Sequence, residues 1–272
     1  MLTKYKMLVT DLDDSLLDDS YAISAANREA IDGAVRAGVK VVLATGRMYR
    51  SALPYALDLC LDTPLITYQG AYVRFSGGNV LYQRPVPLDT ALDLLERLRP
   101  TGYHTNIYID DELLVEELDE ETAIYQAISG VTPVAVGNLL DYLREARREP
   151  TKILVVSDED NLDRLSGQLE NNFGKRLYIT KSKPFFLEFM HPEATKGRAL
   201  QAVSRHYGIN PEEIIAVGDS YNDLEMLDYA GLGVAVANAR EDIKKRADYV
   251  TLANTEGGVA RVIRKFIFNE EE

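Results

Sequence analysis

Short apolar runs alternate along this chain with longer segments whose apolar residues recur at helical spacing. The first run, at 7–9, has no polar alternation, which is typical of a strand buried on both faces of a parallel sheet. Similar runs follow at 39–44, 65–68, 214–217, 234–237 and 249–252. Ser24 is placed to cap a helix that Gly38 ends, and the segments at 197–207, 224–227 and 258–268 are also predicted helices. This alternation of strands and helices predicts parallel βαβ units.

The pattern changes between residues 84 and 189. A leucine-rich helix is predicted before Pro100, and the alternating segment 103–109, a turn at 110–112 and the run 113–115 predict a hairpin. Further strands are expected at 134–136, 153–156, 177–179 and 185–189, with helices at 123–128, 139–147 and 161–169. We therefore expect an α/β protein in which residues 1–83 and 190–272 form a Rossmann-like parallel-sheet core, and 84–189 form an inserted α+β cap.

Composition narrows the class of protein. The chain has 272 residues, with 46% apolar and 27% charged residues, as in globular proteins. No apolar run approaches the ~20 residues of a membrane span. The formal net charge of -13 argues against nucleic acid or an anionic membrane as a partner. It also means that an anionic substrate needs a metal ion or a few well-placed cations.

Cys60 is the only cysteine, so no intrachain disulfide can form, and we expect a cytoplasmic protein. Its leucine-rich surroundings, Leu57, Leu59 and Leu61, predict a small core residue.

Polar residues follow the predicted strands or open the predicted helices at four places: Asp11-Leu12-Asp13-Asp14-Ser15, Thr45-Gly46, Lys196-Gly197, and Gly218-Asp219 through Asn222-Asp223. Ligands bind outside the carboxyl ends of the strands in open α/β sheets. If the chain is still extended, Asp11 and Asp13 point to the same side and repel each other. A Mg²⁺ ion, which prefers carboxylate and phosphate oxygens, would relieve this repulsion. Each junction alone is a weak signal, but the ordered set predicts phosphate chemistry.

These four junctions resemble the four motifs of the haloacid dehalogenase superfamily, and within it the Cof-type sugar-phosphate phosphatases of subclass IIB. The resemblance covers the whole chain and implies a Rossmann-like core, an α/β cap between the second and third motifs, and Mg²⁺-dependent hydrolysis of small phosphorylated metabolites. It implies that Asp11 is the nucleophile, forming an aspartyl-phosphate, and that Asp13 is the general acid and then the general base.

The same resemblance implies roles for the other motif residues. Mg²⁺ would be bound by the carboxylates of Asp11 and Asp219 and by the backbone carbonyl of Asp13. Phosphate oxygens would be bound by the following groups: the Leu12 N–H, the Thr45 hydroxyl, the Gly46 N–H, Lys196 and Asn222. We expect Asp223 to orient Lys196 or a metal-bound water rather than to bind the metal directly.

The sequence leaves the roles of three residues undecided. Asp14 stands where the family most often has glycine, and it adds negative charge beside the site. Gln69-Gly70-Ala71 stands where Asn-Gly-Ala is usual, so that Gln69 is either a site residue or part of a plain strand-ending turn. Arg47 is either a cation supporting the site or an ordinary surface residue.

The cap is expected to select the substrate, and the polar residues considered for this are Lys181, Lys183, Glu188, His104 and Asn106. The three histidines are widely spaced, which argues against a histidine-rich metal site. Two alternatives remain beside a phosphatase. One is a phosphotransferase or sugar-phosphate mutase on the same fold, and the other is a non-enzymatic module in which Asp11 is phosphorylated as a signal. A cap of about a hundred residues and an acid/base at Asp13 both argue against the second.

Overall fold

The computed structural model describes residues 4–270, except for the side chains of residues 128 and 129. Its strands are β1 (Met7–Asp11), β2 (Lys40–Ala44), β3 (Leu65–Thr67), β4 (Tyr72–Arg74), β5 (Val80–Gln83), β6 (His104–Ile109), β7 (Glu112–Val115), β8 (Val134–Ala135), β9 (Lys152–Val156), β10 (Tyr178–Lys183), β11 (Phe186–Met190), β12 (Ile214–Gly218), β13 (Leu232–Ala235) and β14 (Tyr249–Val250). Its helices are α1 (Ala25–Arg36), α2 (Tyr49–Asp58), α3 (Leu88–Leu98), α4 (Glu120–Ser129), α5 (Leu139–Ala146), α6 (Glu159–Phe173), α7 (Lys196–Tyr207), α8 (Leu224–Tyr229), α9 (Glu241–Arg246) and α10 (Gly258–Val262).

The larger sheet has the strand order β14-β13-β12-β1-β2-β3-β4-β5. Its strands from β14 to β3 are parallel, and β4 pairs antiparallel with β3. Strand β1 is buried along its whole length, as its unbroken apolar run predicts. The expected α/β fold with a parallel-sheet core is therefore confirmed.

The chain divides into two compact units. Within the described residues, the first consists of 4–45, 52–82 and 195–270, and the second of Gly46–Ser51 and Gln83–Ala194. The second unit contains a six-stranded sheet of order β10-β11-β9-β6-β7-β8, in which only β7 and β8 form a parallel pair. One face of this sheet packs with α3, α5 and α6 around a core that includes Leu94, Leu143, Leu165 and Phe189. The domain boundaries at 84 and 189 stay predictions.

Ser24 caps α1 as expected, because its Oγ accepts a hydrogen bond from the backbone N–H of Asn27 at 3.2 Å. The elements β4, β5, α2 and α9 were not predicted. The prediction for Cys60 is wrong, since this residue is exposed. It follows the end of α2 with a φ of 53°, and this left-handed turn directs it away from the core that buries Leu59 and Leu61. Among residues 4–270, no helix has both the length and the apolar character needed to cross a bilayer.

Candidate active site

Three strand ends of the larger sheet bring the predicted motif residues together. Strand β1 lies between β12 and β2, with Thr10 opposite Val217 and Asp11 opposite Ala44. The side chain of Asp11 is therefore at the same edge of the sheet as Thr45 and the loop that begins at Asp219. Thr45 is fully buried, and its backbone N–H donates to the carbonyl of Ile66 at 2.8 Å.

Lys196 lies between two carboxylates. Its Nζ is 2.5 Å from Oδ1 of Asp11 and 2.5 Å from Oδ1 of Asp223. Its side chain is 1% exposed, and it is the first residue of α7, which Thr195 caps. Burial by itself would lower the pKa of Lys196, but the two carboxylates outweigh burial and raise that pKa. Lys196 therefore stays protonated.

The carboxylates of Asp11, Asp219 and Asp223 form a cluster in which one oxygen of each lies within 4.8 Å of the others. Burial raises the pKa of Asp11 well above its ordinary value, and Lys196 offsets this only in part. Burial and the charge of Asp223 raise the pKa of Asp219 to about 6. One lysine thus does not balance the negative charge that gathers here when all three groups are ionised.

The cluster fits a hard divalent cation. Its donors are all carboxylate oxygens, which are the ligands that Mg²⁺ prefers. Burial first, and neighbouring carboxylates second, raise the pKa values of Asp11 and Asp219, so a bound cation would favour their ionised forms. Asp11 and Asp219 belong to the predicted ligand set. The third carboxylate is that of Asp223, whereas the side chain of Asp13 is not part of the cluster.

Asp223 accepts hydrogen bonds mainly from its own loop. Its Oδ2 accepts hydrogen bonds from the backbone N–H groups of Asp219 at 3.0 Å and Ser220 at 3.1 Å, and its Oδ1 accepts from Lys196. Asp223 thus contacts both Lys196 and its own loop. Its predicted role in orienting Lys196 stays a prediction, as does metal binding by Asp11 and Asp219.

Two serines donate hydrogen bonds to Asp219, and neither was assigned a role from the sequence. Ser15 Oγ donates to Oδ1 of Asp219 at 3.1 Å, across 204 residues of sequence, and Ser220 Oγ donates to Oδ2. The only signal in the sequence is a small hydroxyl residue beside the acidic residues of each motif. These bonds fix the carboxylate and favour its ionised form.

The loop after β1 has an irregular backbone. Asp13 is extended, with φ -71° and ψ 131°, and Asp14 is left-handed, with φ 60°. The side-chain amide of Asn238 donates to the backbone carbonyl of Asp14 at 2.7 Å. Asp14 is exposed and Leu12 is buried. The general acid–base role of Asp13 and the phosphate contact of the Leu12 N–H stay predictions.

Asn222 contacts Gln69, whose role the sequence left undecided. Its Nδ2 donates to Oε1 of Gln69 at 2.7 Å, which brings the turn after β3 to the loop after β12. Gln69 therefore contacts a predicted phosphate-binding residue, and its own role in the site stays a prediction. Gly46 and Arg47 belong to the segment Gly46–Ser51 of the second unit, and their predicted roles stay predictions.

The polar residues considered for the cap lie on both faces of its sheet. His104 and Asn106 are bonded to each other at 2.8 Å, and Glu188 pairs with the buried Lys152 at 3.0 Å. His104, Asn106 and Glu188 share one face, because Asn106 and Glu188 both lie opposite Leu154. Lys181 lies opposite Leu187 on the other face and pairs with Glu159 and Asp163 of α6.

Comparisons with known proteins agree with this fold. The family model for haloacid dehalogenase-like hydrolases matches residues 8–263. A Bacillus subtilis protein named 5-amino-6-(5-phospho-D-ribitylamino)uracil phosphatase YitU is 31% identical, over 98% of this chain and 99% of its own. The crystal structure of TM0651 from Thermotoga maritima has a TM-score of 0.88 with 34% identity, over 96% of this chain and 97% of that one. The subclass IIB sugar phosphatase BT4131 has a TM-score of 0.82 with 25% identity, over 96% and 98%.

The chain therefore belongs to the haloacid dehalogenase-like hydrolases. Within this family it is a phosphatase of the Cof type, as the motifs predicted.

Proposed function

We propose that this protein is a Mg²⁺-dependent phosphatase that hydrolyses small phosphomonoesters through a phosphorylated Asp11. The observation that supports this best is Lys196, which is bonded at once to Asp11 and Asp223 beside the third carboxylate, Asp219. A cation fixed against a buried carboxylate favours the ionised form of that carboxylate, which is the form that acts as a nucleophile. It also stabilises the negative charge of a phosphoryl group that is being transferred.

The reaction has two steps. In the first, a carboxylate oxygen of Asp11 attacks phosphorus, the P–O ester bond breaks, and Asp13 gives its proton to the leaving alcohol oxygen. In the second, Asp13 takes a proton from water, the water oxygen attacks phosphorus, and the Asp11 carboxylate is released with inorganic phosphate. When bound by Asp11, Asp219 and the backbone carbonyl of Asp13, Mg²⁺ would neutralise charge where two anions meet.

The substrate is proposed to be a phosphorylated sugar or sugar alcohol, or a related small phosphomonoester. The name of the relative YitU describes a phosphorylated ribityl chain on a uracil, and this compound should be tested first. The net charge of -13 disfavours nucleic acid as a partner. A cytoplasmic location stays a prediction, based on the single cysteine.

Trapping of the phosphorylated enzyme tests this function. A p-nitrophenolate leaving group departs without a proton, so Asp13→Asn should slow mainly the second step, by about 10²–10⁴-fold. Phosphoenzyme should then accumulate, with a burst of nitrophenolate near one equivalent per active site. Asp11→Asn should show neither, because its nucleophile is gone.

The measurement is mass spectrometry of each variant after rapid acid quenching, with and without chelator. Exposed Asp19→Asn is the matched control and should behave as the wild type. Phosphate on another residue, an adduct on Asp11→Asn, or full turnover in excess chelator would each contradict the proposal.

A further inference from the structure

Two side-chain amides meet at the edge of the carboxylate cluster, and their arrangement leaves one atom without a partner. Asn222 Nδ2 donates to Gln69 Oε1 at 2.7 Å. Asn222 Oδ1 is buried, and no hydrogen-bond partner for it exists among the residues that the structure describes. A buried acceptor without a donor is unfavourable, so this arrangement favours a ligand or a rearrangement that satisfies Oδ1.

The backbone around Gln69 fixes the position of its side chain. Gln69 is left-handed, with φ 59°, and Gly70 follows with φ 103°. The Gln69 N–H donates to the carbonyl of Thr45 at 3.1 Å, which ties the turn to another predicted phosphate-binding residue. Gln69 is 5% exposed, so it meets Asn222 from a rigid and largely dry position.

The orientation of Asn222 in the structure is the wrong one for phosphate. Phosphate oxygens accept hydrogen bonds, whereas the unpartnered end of Asn222 is also an acceptor. The oxygen and nitrogen ends of a carboxamide have nearly the same shape and exchange on a half-turn of the group. If both amides turn together, Gln69 Nε2 donates to Asn222 Oδ1, and Asn222 Nδ2 becomes available to phosphate.

We propose that Gln69 is a positioning residue that determines which end of the Asn222 amide faces the phosphate, and that the two amides turn together when phosphate binds. This inference rests on the proposed function, in which Asn222 binds phosphate. Glutamine can support both orientations because it has a donor and an acceptor. A glutamate at this position could only accept from Asn222 Nδ2, which leaves Asn222 Oδ1 facing the phosphate. A methionine, with a similar length, would support neither orientation of the Asn222 amide.

The test is the Ki of inorganic phosphate and the KM of p-nitrophenyl phosphate with Mg²⁺. Gln69→Met should raise both the Ki and the KM about tenfold, which is the loss expected for one oriented hydrogen bond. It should leave kcat within about twofold, because the ground state and the transition state lose the same contact. Gln69→Glu should raise both further. The exposed Gln168 of α6 provides matched controls, Gln168→Met and Gln168→Glu, which should leave both constants unchanged.

A double-mutant cycle separates positioning from a structural effect. In the Asn222→Ala background, Gln69→Met should change Ki by less than about twofold, because the group that Gln69 orients is absent. An equal loss in both backgrounds, or no loss from Gln69→Met alone, would overturn the proposal. If the methionine variant does not fold, Gln69→Glu, which keeps the shape of the side chain, is carried through the same cycle.

Calorimetric titration with inorganic phosphate distinguishes this inference from the proposed function. Phosphate binding that depends on Gln69, in a wild-type protein that hydrolyses no phosphomonoester, would overturn the proposed function alone. Turnover of the ester with phosphate binding that is independent of Gln69 would overturn only the role of Gln69.

Discussion

Lys196 is the residue on which the electrostatics of this site depend. It is 1% exposed and bonded to two carboxylates, so it compensates charge that burial would otherwise make very unfavourable. Asp11 and Asp223 are almost fully buried beside it. Removing this one cation would leave two buried carboxylates next to each other.

Lys196→Met should therefore destabilise the fold as well as abolish turnover. Breaking a buried ion pair costs about 3–5 kcal/mol, and the variant should lose stability of this order at pH 8. Without the lysine, the folded-state pKa of Asp11 rises further above its unfolded value, so the folded state binds more protons and its stability increases as the pH falls.

Chemical denaturation at pH 8 and pH 5 measures this effect, with exposed Lys175→Met as the control. A loss of stability that is the same at both pH values would show that packing, rather than charge, is what Lys196 supplies.

Asp219 should make Mg²⁺ activation depend on pH. Burial and Asp223 raise its pKa to about 6, and a carboxylate must lose its proton to bind metal. The Mg²⁺ concentration for half-maximal activity should therefore rise as the pH falls below about 6 and be nearly constant from pH 7 to 8. Activation curves between pH 5 and 8 measure this. In Asp219→Asn, metal binding measured by calorimetry should depend less on pH below pH 7. An unchanged pH dependence would assign the titration to another group, such as Asp11.

At the scale of elements, the site depends on how closely the turn after β3 approaches the start of α7. Gly70 has φ 103°, and a side chain at this position would overlap the backbone carbonyl of Thr195. Thr195 is the N-cap of the helix whose first residue is Lys196. The glycine thus allows two loops from different parts of the chain to meet beside the buried lysine.

Gly70→Ala should destabilise the protein by about 2–5 kcal/mol, from left-handed backbone strain plus overpacking. It should also reduce turnover, because the start of α7 must move. Gly38→Ala is the matched control, since Gly38 has φ 87° but no atom within 4 Å of the added Cβ. That variant should cost about 1–2 kcal/mol and leave turnover unchanged.

Guanidinium denaturation and p-nitrophenyl phosphate turnover, measured on both variants, test this prediction. If Gly70→Ala and Gly38→Ala lost the same stability, the close approach at Thr195 would have no energetic consequence.

At the scale of the whole molecule, the second unit has the features of an independently folding domain. Its six-stranded sheet is complete in itself, and its helices bury one face of that sheet in a continuous apolar core. The segment Gly46–Ser51 also belongs to it, through the hydrogen bond from the Arg50 N–H to Asp111 at 2.8 Å.

A fragment of residues 83–194 should therefore fold cooperatively on its own, somewhat less stable than in the whole chain because Arg50 is missing. Circular dichroism during thermal unfolding and the dispersion of amide NMR signals measure this. Leu143 is fully buried, so Leu143→Asp in the same fragment should abolish folding. A fragment without cooperative unfolding would show that this unit depends on the rest of the chain.

The sequence by itself determined the parallel strands of the larger sheet and the acidic residues at their ends, but not β4, β5, α2 or α9. Strand β1 and its neighbours were predictable because burial on both faces requires an unbroken apolar run, which is a local property. Asp11 and Asp219 were predictable because parallel strands end at one edge, so their sequence positions indicate a shared location. Lys196 was predictable from its place at the start of a helix. The role of residues 84–189 in substrate choice stays a prediction from resemblance.

Only the tertiary structure decided which groups face each other. Ser15 bonds to Asp219 across 204 residues, and Asn222 to Gln69 across 153; such pairs depend on how distant loops pack, which no local pattern encodes. Cys60 shows the same limit, since its leucine-rich surroundings indicated burial but one left-handed residue after α2 exposes it. Hydrophobic periodicity is set by backbone geometry over a few residues, whereas the partner of a polar side chain is set by the whole fold.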